Sequence, residues 1–83
     1  MSDDAIDAPW AEASPRDMND VAEECVGYGI GHIYHGLLAR VYEKGKRPVG
    51  ADCHWHHDRI DLQIKCSDGR WFQRRHFLAR ISL

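Results

Sequence analysis

The chain has no long apolar run. Within its 83 residues, His, Gly, Arg or Glu interrupts every hydrophobic stretch after a few positions, far short of the roughly 20 apolar residues a membrane-spanning helix needs. Basic residues are missing from the N-terminus, where Asp3, Asp4 and Asp7 stand in place of the cations and apolar core of an export signal. A cytoplasmic protein with no membrane partner is expected. Paired cysteines are missing too: Cys25, Cys53 and Cys66 are odd in number and irregular in spacing, which excludes a disulfide framework and fits a reducing compartment. There is no internal repeat and no low-complexity tract. The glycines at 27, 29 and 31 follow no strand and precede no Gly-Lys-Ser or Gly-Lys-Thr, so they read as a hinge and not as a phosphate loop.

What is there is ordinary in amount and uneven in placement. Hydrophobic residues make up 43% and charged residues 29% of the chain, the proportions of a globular domain, although one this short can build only a small core. The net charge of −2 conceals a division. Residues 1–24 hold eight acids against Arg16 alone, a net −7, whereas residues 25–83 hold ten Lys or Arg against five acids, a net +5. Such asymmetry points to an anionic partner, or to a tail that folds back over a basic face.

Residues 1–13 offer only Ile6 and Trp10 as large apolar groups, too little to offset the entropy of ordering them. They are expected to form a disordered acidic tail ahead of a single small α+β domain over 14–83. Ser14-Pro15-Arg16-Asp17 predicts a helix start, with Ser14 as N-cap and Pro15 in the first turn. Met18, Val21, Ala22 and Cys25 then form an apolar stripe that stops at Gly27. A second helix follows from the four-residue beat of Ile33-Tyr34, Leu37-Leu38 and Val41-Tyr42, closed by Gly45 and Pro48.

From residue 58 the period becomes two. Ile60, Leu62, Ile64 and Cys66 alternate with Arg59, Asp61, Gln63 and Lys65, which predicts a half-buried strand. Asp68-Gly69 predicts a hairpin into a return strand from Arg70 to His76. Its register stays open, because one residue more or less in the loop exchanges the two faces of the return strand. A two-residue loop would pair Cys66 with Trp71 and Ile60 with Phe77. Residues 51–57 and 77–82 each offer a further short strand. The expected fold is two N-terminal helices packed on a small antiparallel sheet of three or four strands with a C-terminal hairpin. An uncovered sheet edge could pair with a second copy and form a homodimer.

Three groups of residues invite chemistry. Lys65, Arg70, Trp71, Phe72, Arg74, Arg75 and His76 interleave cations with aromatic rings on the hairpin, as a face that holds nucleic acid or an acidic protein surface requires. The cations of Lys44-Gly45-Lys46-Arg47 read more simply as complements of a helix dipole. Secondly, His32-x2-His35 and Cys53-x2-His56 are separated by seventeen residues, a spacing compatible with zinc, although a histidine pair on a helix is an unusual half-site. Thirdly, His76 beside Arg74 and Arg75 could serve a small metal-independent nuclease, with His as acid or base and Arg on the phosphate. The leading expectation is a non-catalytic regulator or inhibitor that binds a macromolecule, either nucleic acid or a nucleic-acid-handling protein, with no cofactor. The zinc domain and the nuclease are the alternatives.

Overall fold

A computed structural model describes residues 5–6 and 15–78. Two helices, α1 (Met18–Gly27) and α2 (Gly31–Glu43), precede three strands, β2 (Pro48–Trp55), β3 (Arg59–Cys66) and β4 (Trp71–Phe77). These strands form an antiparallel sheet with β3 in the centre. A two-residue strand, β1 (Ala5–Ile6), comes before the helices and pairs with β4 at Trp71 and Phe72. The chain is therefore α+β, as its changing periodicity predicts. Apart from β1, the acidic tail, with Trp10, lies outside the described residues, as do residues 79–83 and any strand there.

Both helices end where glycine allows the backbone to turn left-handed. After α1, Gly29 has φ +79°, Ile30 donates to the Cys25 carbonyl (2.9 Å) and Gly29 to that of Val26 (3.0 Å). After α2, Gly45 has φ +72°, with Lys46 donating to Val41 (3.2 Å) and Gly45 to Tyr42 (2.9 Å). These are two Schellman closures, each satisfying carbonyls that a helix end leaves bare.

The start of α1 corrects the sequence reading. Ser14 falls outside the described residues, and the N-cap is Asp17, whose carboxylate accepts from the backbone N–H groups of Asn19 (2.8 Å) and Asp20 (3.4 Å). The helix is held off residues 15 and 16 because Arg16 bridges to β2: its N–H donates to the Ala51 carbonyl (2.7 Å) and its carbonyl accepts from the Ala51 N–H (3.0 Å). Asp17→Ala should cost about 1 kcal/mol of stability in chemical denaturation, the usual value of a lost N-cap.

The helices cover one face of the sheet. Val21 and Cys25 from α1, Ile30 from the bend and Tyr34, Leu37 and Val41 from α2 pack on Ala51, Cys53, Ile60, Leu62, Ile64, Cys66 and Phe72. Of the residues the four-residue beat picks out, Tyr34, Leu37 and Val41 are buried, Ile33 and Leu38 are half-buried and Tyr42 is exposed.

The hairpin register is settled by its turn. Residues 67–69 form a three-residue loop, with Cys66 donating to the Arg70 carbonyl (2.7 Å), Gly69 donating to the Cys66 carbonyl (3.0 Å) and Gly69 at φ +89°. Three-residue hairpins characteristically end on such a left-handed residue. Trp71 consequently lies opposite Lys65, not Cys66, and Phe77 opposite Arg59.

The sheet edges are partly occupied. On β2 the outward groups of Ala51 bond to Arg16, and the Cys53 N–H donates to the Asp52 carboxylate (2.8 Å). On β4, β1 takes up Trp71 and Phe72. Less backbone is left for pairing with a second copy than three bare strands would offer. No helix among the described residues is long and apolar enough to cross a membrane.

Candidate functional site

The register divides the predicted hairpin residues between two faces. Phe72, Arg74 and His76 share the helix-covered face with their partners Ile64, Leu62 and Ile60. Lys65, Trp71 and Arg75 point to the other side, and Arg70 is exposed at the turn. Phe72 is a core residue. Arg74 is tucked under α2 so closely that a Cβ on Gly36 would stand 2.9 Å from its Nη1. Trp71 is only 3% exposed, with the Lys65 ammonium 6.0 Å from its ring centroid, so it is not an open stacking surface. Arg74 and His76 leave β4 on the opposite side from Arg75, so the three do not converge on one phosphate.

The helix-free face is organised around Asp61. This nearly buried carboxylate lies 3.2 Å from Arg59 Nε and 3.5 Å from Arg75 Nε. His56 Nε2 is 3.3 Å from it without hydrogen-bond geometry, and His54 stacks beside His56 with ring centroids 4.6 Å apart. Next along the face, Gln63 donates to Gln73 (2.7 Å). The Arg75 cation is thus already shared with an acid.

A clearer cationic surface appears at the hairpin end, where the turn meets the α2–β2 connection. The Ser67 N–H donates to the Arg47 carbonyl (2.7 Å) and Lys46 Nζ bonds Asp68 Oδ2 (2.8 Å). Lys46 holds the Asp68 carboxyl below its ordinary value, helped by the Arg70 N–H. Lys46 and Arg47 are thereby set beside the turn that carries Asp68 and Arg70. Lys44, Arg47 and Arg70 are exposed. Glu43, the nearby acid at the end of α2, is 3.5 Å from Arg40. Sequence reasoning treats the two basic stretches separately, since 18 positions separate Arg47 from Lys65. Only the β2–β3 pairing and the turn bring them together.

The proposed zinc ligands are scattered. His32 and His35 are exposed on α2, Cys53 faces the core against α1, and His56 lies by Asp61 beyond the other face. No group of three or more metal-binding side chains comes together among the described residues.

A second polar cluster, which the sequence does not suggest, lies where α1 crosses β2. Glu24 accepts from Arg16 Nη2 (2.7 Å), from the Cys53 thiol (3.2 Å) and from Trp55 Nε1 (3.2 Å). Arg16 also reaches Asp52 (3.7 Å), and Trp55 packs on Tyr28 with centroids 4.5 Å apart. The bonds from Arg16, and then Cys53, hold the Glu24 carboxyl below its ordinary 4.5. A folded-state value lower than the unfolded one contributes stability that is complete above the ordinary carboxylate range and is lost as pH falls through the folded value. Between about pH 6 and about pH 3, the wild type should therefore lose more stability than Glu24→Gln in paired denaturation curves.

No protein-family model matches the chain, and no curated protein and no solved structure shows significant similarity to it.

Proposed function

We propose that this protein is a non-catalytic regulator that binds an anionic macromolecule, either nucleic acid or the acidic surface of a nucleic-acid-handling protein, through the basic end of the β3–β4 hairpin. One observation carries the reading: the Ser67–Arg47 and Lys46–Asp68 bonds set Lys46 and Arg47 beside the turn that carries Arg70, bringing cations from two distant stretches to one end of the sheet. Such a surface gains affinity by displacing counterions from a polyanion, a contribution that is independent of sequence and falls with salt. The contacting set shifts from the one the sequence suggests. Lys65 and Arg70 remain in it, Lys44, Lys46 and Arg47 join it, and Phe72, Arg74 and His76 belong instead to the helix-covered face.

The test is fluorescence anisotropy of labelled single-stranded and duplex oligonucleotides at about 0.05 and 0.2 M salt. Salt-sensitive binding to either supports the nucleic-acid form of the reading. If neither binds, salt-sensitive retention on a polyglutamate resin supports the protein-surface form, and the absence of all three interactions overturns the proposal.

A further inference from the structure

The helix-free face of the sheet is buried without a helix to bury it. Both helices pack on the side of Ile60, Leu62 and Ile64, and the residues between these point the other way. Yet on that other side Gln63 is 1% exposed, Trp71 3% and Asp61 4%. Neighbouring side chains on a sheet stand roughly perpendicular to it and flank a residue without roofing it, so a further part of the molecule lies over Gln63 and Trp71.

Chain geometry identifies that part. Ile6 pairs with Trp71 on the outer side of β4, at one edge of the sheet, and Arg16 bridges to Ala51 on the outer side of β2, at the other. The two anchors stand at nearly one level, since Trp71 is opposite Lys65 and Ala51 opposite Ile64. Four strand spacings of ~4.8 Å separate them, about 19 Å, and the ten residue steps from 6 to 16 reach at most about 35 Å. The helix-covered face is filled by α1 and α2. A path around the β3–β4 turn, four residues beyond Lys65, would take about 45 Å, and the opposite end of the sheet is more distant still. Only the helix-free face offers a route short enough. Pro15 already lies against it: Gly50 alternates with the core residue Ala51 and so faces this side, and a Cβ on Gly50 would stand 3.0 Å from Pro15 Cβ.

We infer that residues 7–14 dock across the helix-free face, with the Trp10 indole seated over Gln63 and beside Trp71. Trp10 is four of the ten steps from Ile6 to Arg16, which puts it between β4 and β3, where those two buried side chains stand. An indole suits the place, because it covers a large area and carries one N–H donor for the amide oxygens of a glutamine pair; Gln63 and Gln73 are bonded to each other there at 2.7 Å. The occupant of this face is thus the chain's own acidic segment, and the basic hairpin end is left for an external partner.

The test is nuclear Overhauser spectroscopy of the isotope-labelled full chain, with the Trp10 indole assigned by its disappearance in Trp10→Phe. Expected are contacts from the Trp10 ring to the side-chain amide of Gln63 and to the ring of Trp71. The thermal midpoint of Trp10→Ala should fall by on the order of 10 °C, as for the loss of a large buried side chain. Contacts to Gln63 and Trp71 that come instead from residues 79–83, from a second copy in a mixed-label sample, or from no other segment would overturn the inference, as would an unchanged midpoint in Trp10→Ala.

Discussion

A variant carrying Lys46→Ala, Arg47→Ala and Arg70→Ala should bind its polyanion about 10- to 100-fold more weakly near 0.1 M salt, and its log–log salt dependence should be shallower by about two to three. The second number is the more informative. Each cation that neutralises a phosphate releases nearly one counterion, so the change in slope reports how many such cations the variant lacks, whereas a general loss of folded protein lowers affinity without changing the slope. The fold should survive, because Arg47 and Arg70 are exposed and the Lys46–Asp68 pair is a surface ion pair of the kind that adds little stability. The Ser67–Arg47 bond runs between backbone atoms and is unaffected by the substitution. Arg75→Ala is the contrasting control. Its guanidinium is engaged with Asp61 on the helix-free face, so its removal should leave the salt slope close to that of the wild type.

Leu62→Ala should lower the unfolding free energy by roughly 2–5 kcal/mol in urea titration, the largest effect expected of a single substitution here. Leu62 is central on the central strand, 1% exposed, and belongs to the core that the helices cover, so the cavity it leaves has little freedom to collapse. Small domains have only about 5–15 kcal/mol in total, and this variant should be close to unfolding at physiological temperature. Its cross-strand neighbour Arg74 gives a useful comparison. Arg74→Ala removes a guanidinium and its aliphatic stem from beneath α2 and should therefore act on stability, with affinity for the polyanion unchanged. The reverse result would return Arg74 to the binding surface.

Much of this fold is legible in the chain because the relevant signals are local. Gly45 ends α2 through a left-handed turn that glycine adopts at no steric cost, the period-two run from Ile60 to Cys66 is the central strand, and Asp68-Gly69 lies in the hairpin turn, whereas α1 runs through Gly27, its predicted left-handed stop, and turns at Gly29. The misplaced features depend on contacts distant in sequence. Ser14-Pro15 has the composition of a helix start, but Arg16 is drawn into a bridge with Ala51, 35 positions later, and Asp17 becomes the cap. The hairpin register hangs on one loop residue, and that residue decides whether Arg74 or Arg75 faces the helices.

The candidate site is legible only in part, for the same reason. Arg70 is exposed at the turn beside the Lys46–Asp68 pair, and Lys65 lies against Trp71 on the helix-free face. Lys46 and Arg47 look like helix-dipole complements until the β2–β3 pairing sets them against the turn. The Glu24 cluster carries no sequence signal, since Arg16, Glu24, Cys53 and Trp55 meet only when α1 crosses β2. The histidines show the converse. His32, His35 and His56 have a suggestive spacing with Cys53, and the fold leaves His32 and His35 exposed on α2, Cys53 in the core and His56 beside Asp61.

The most direct test of the central claim is a titration of the isotope-labelled protein with a short single-stranded oligonucleotide, or with polyglutamate, followed by amide chemical shifts residue by residue. The largest changes should fall on residues 44–47 and 65–70, diminish with added salt, and leave α1 and the Asp61 end of the sheet nearly unmoved. Changes concentrated around His54, Asp61 and Arg75, or spread along α1, would contradict the assignment of the binding surface to the hairpin end.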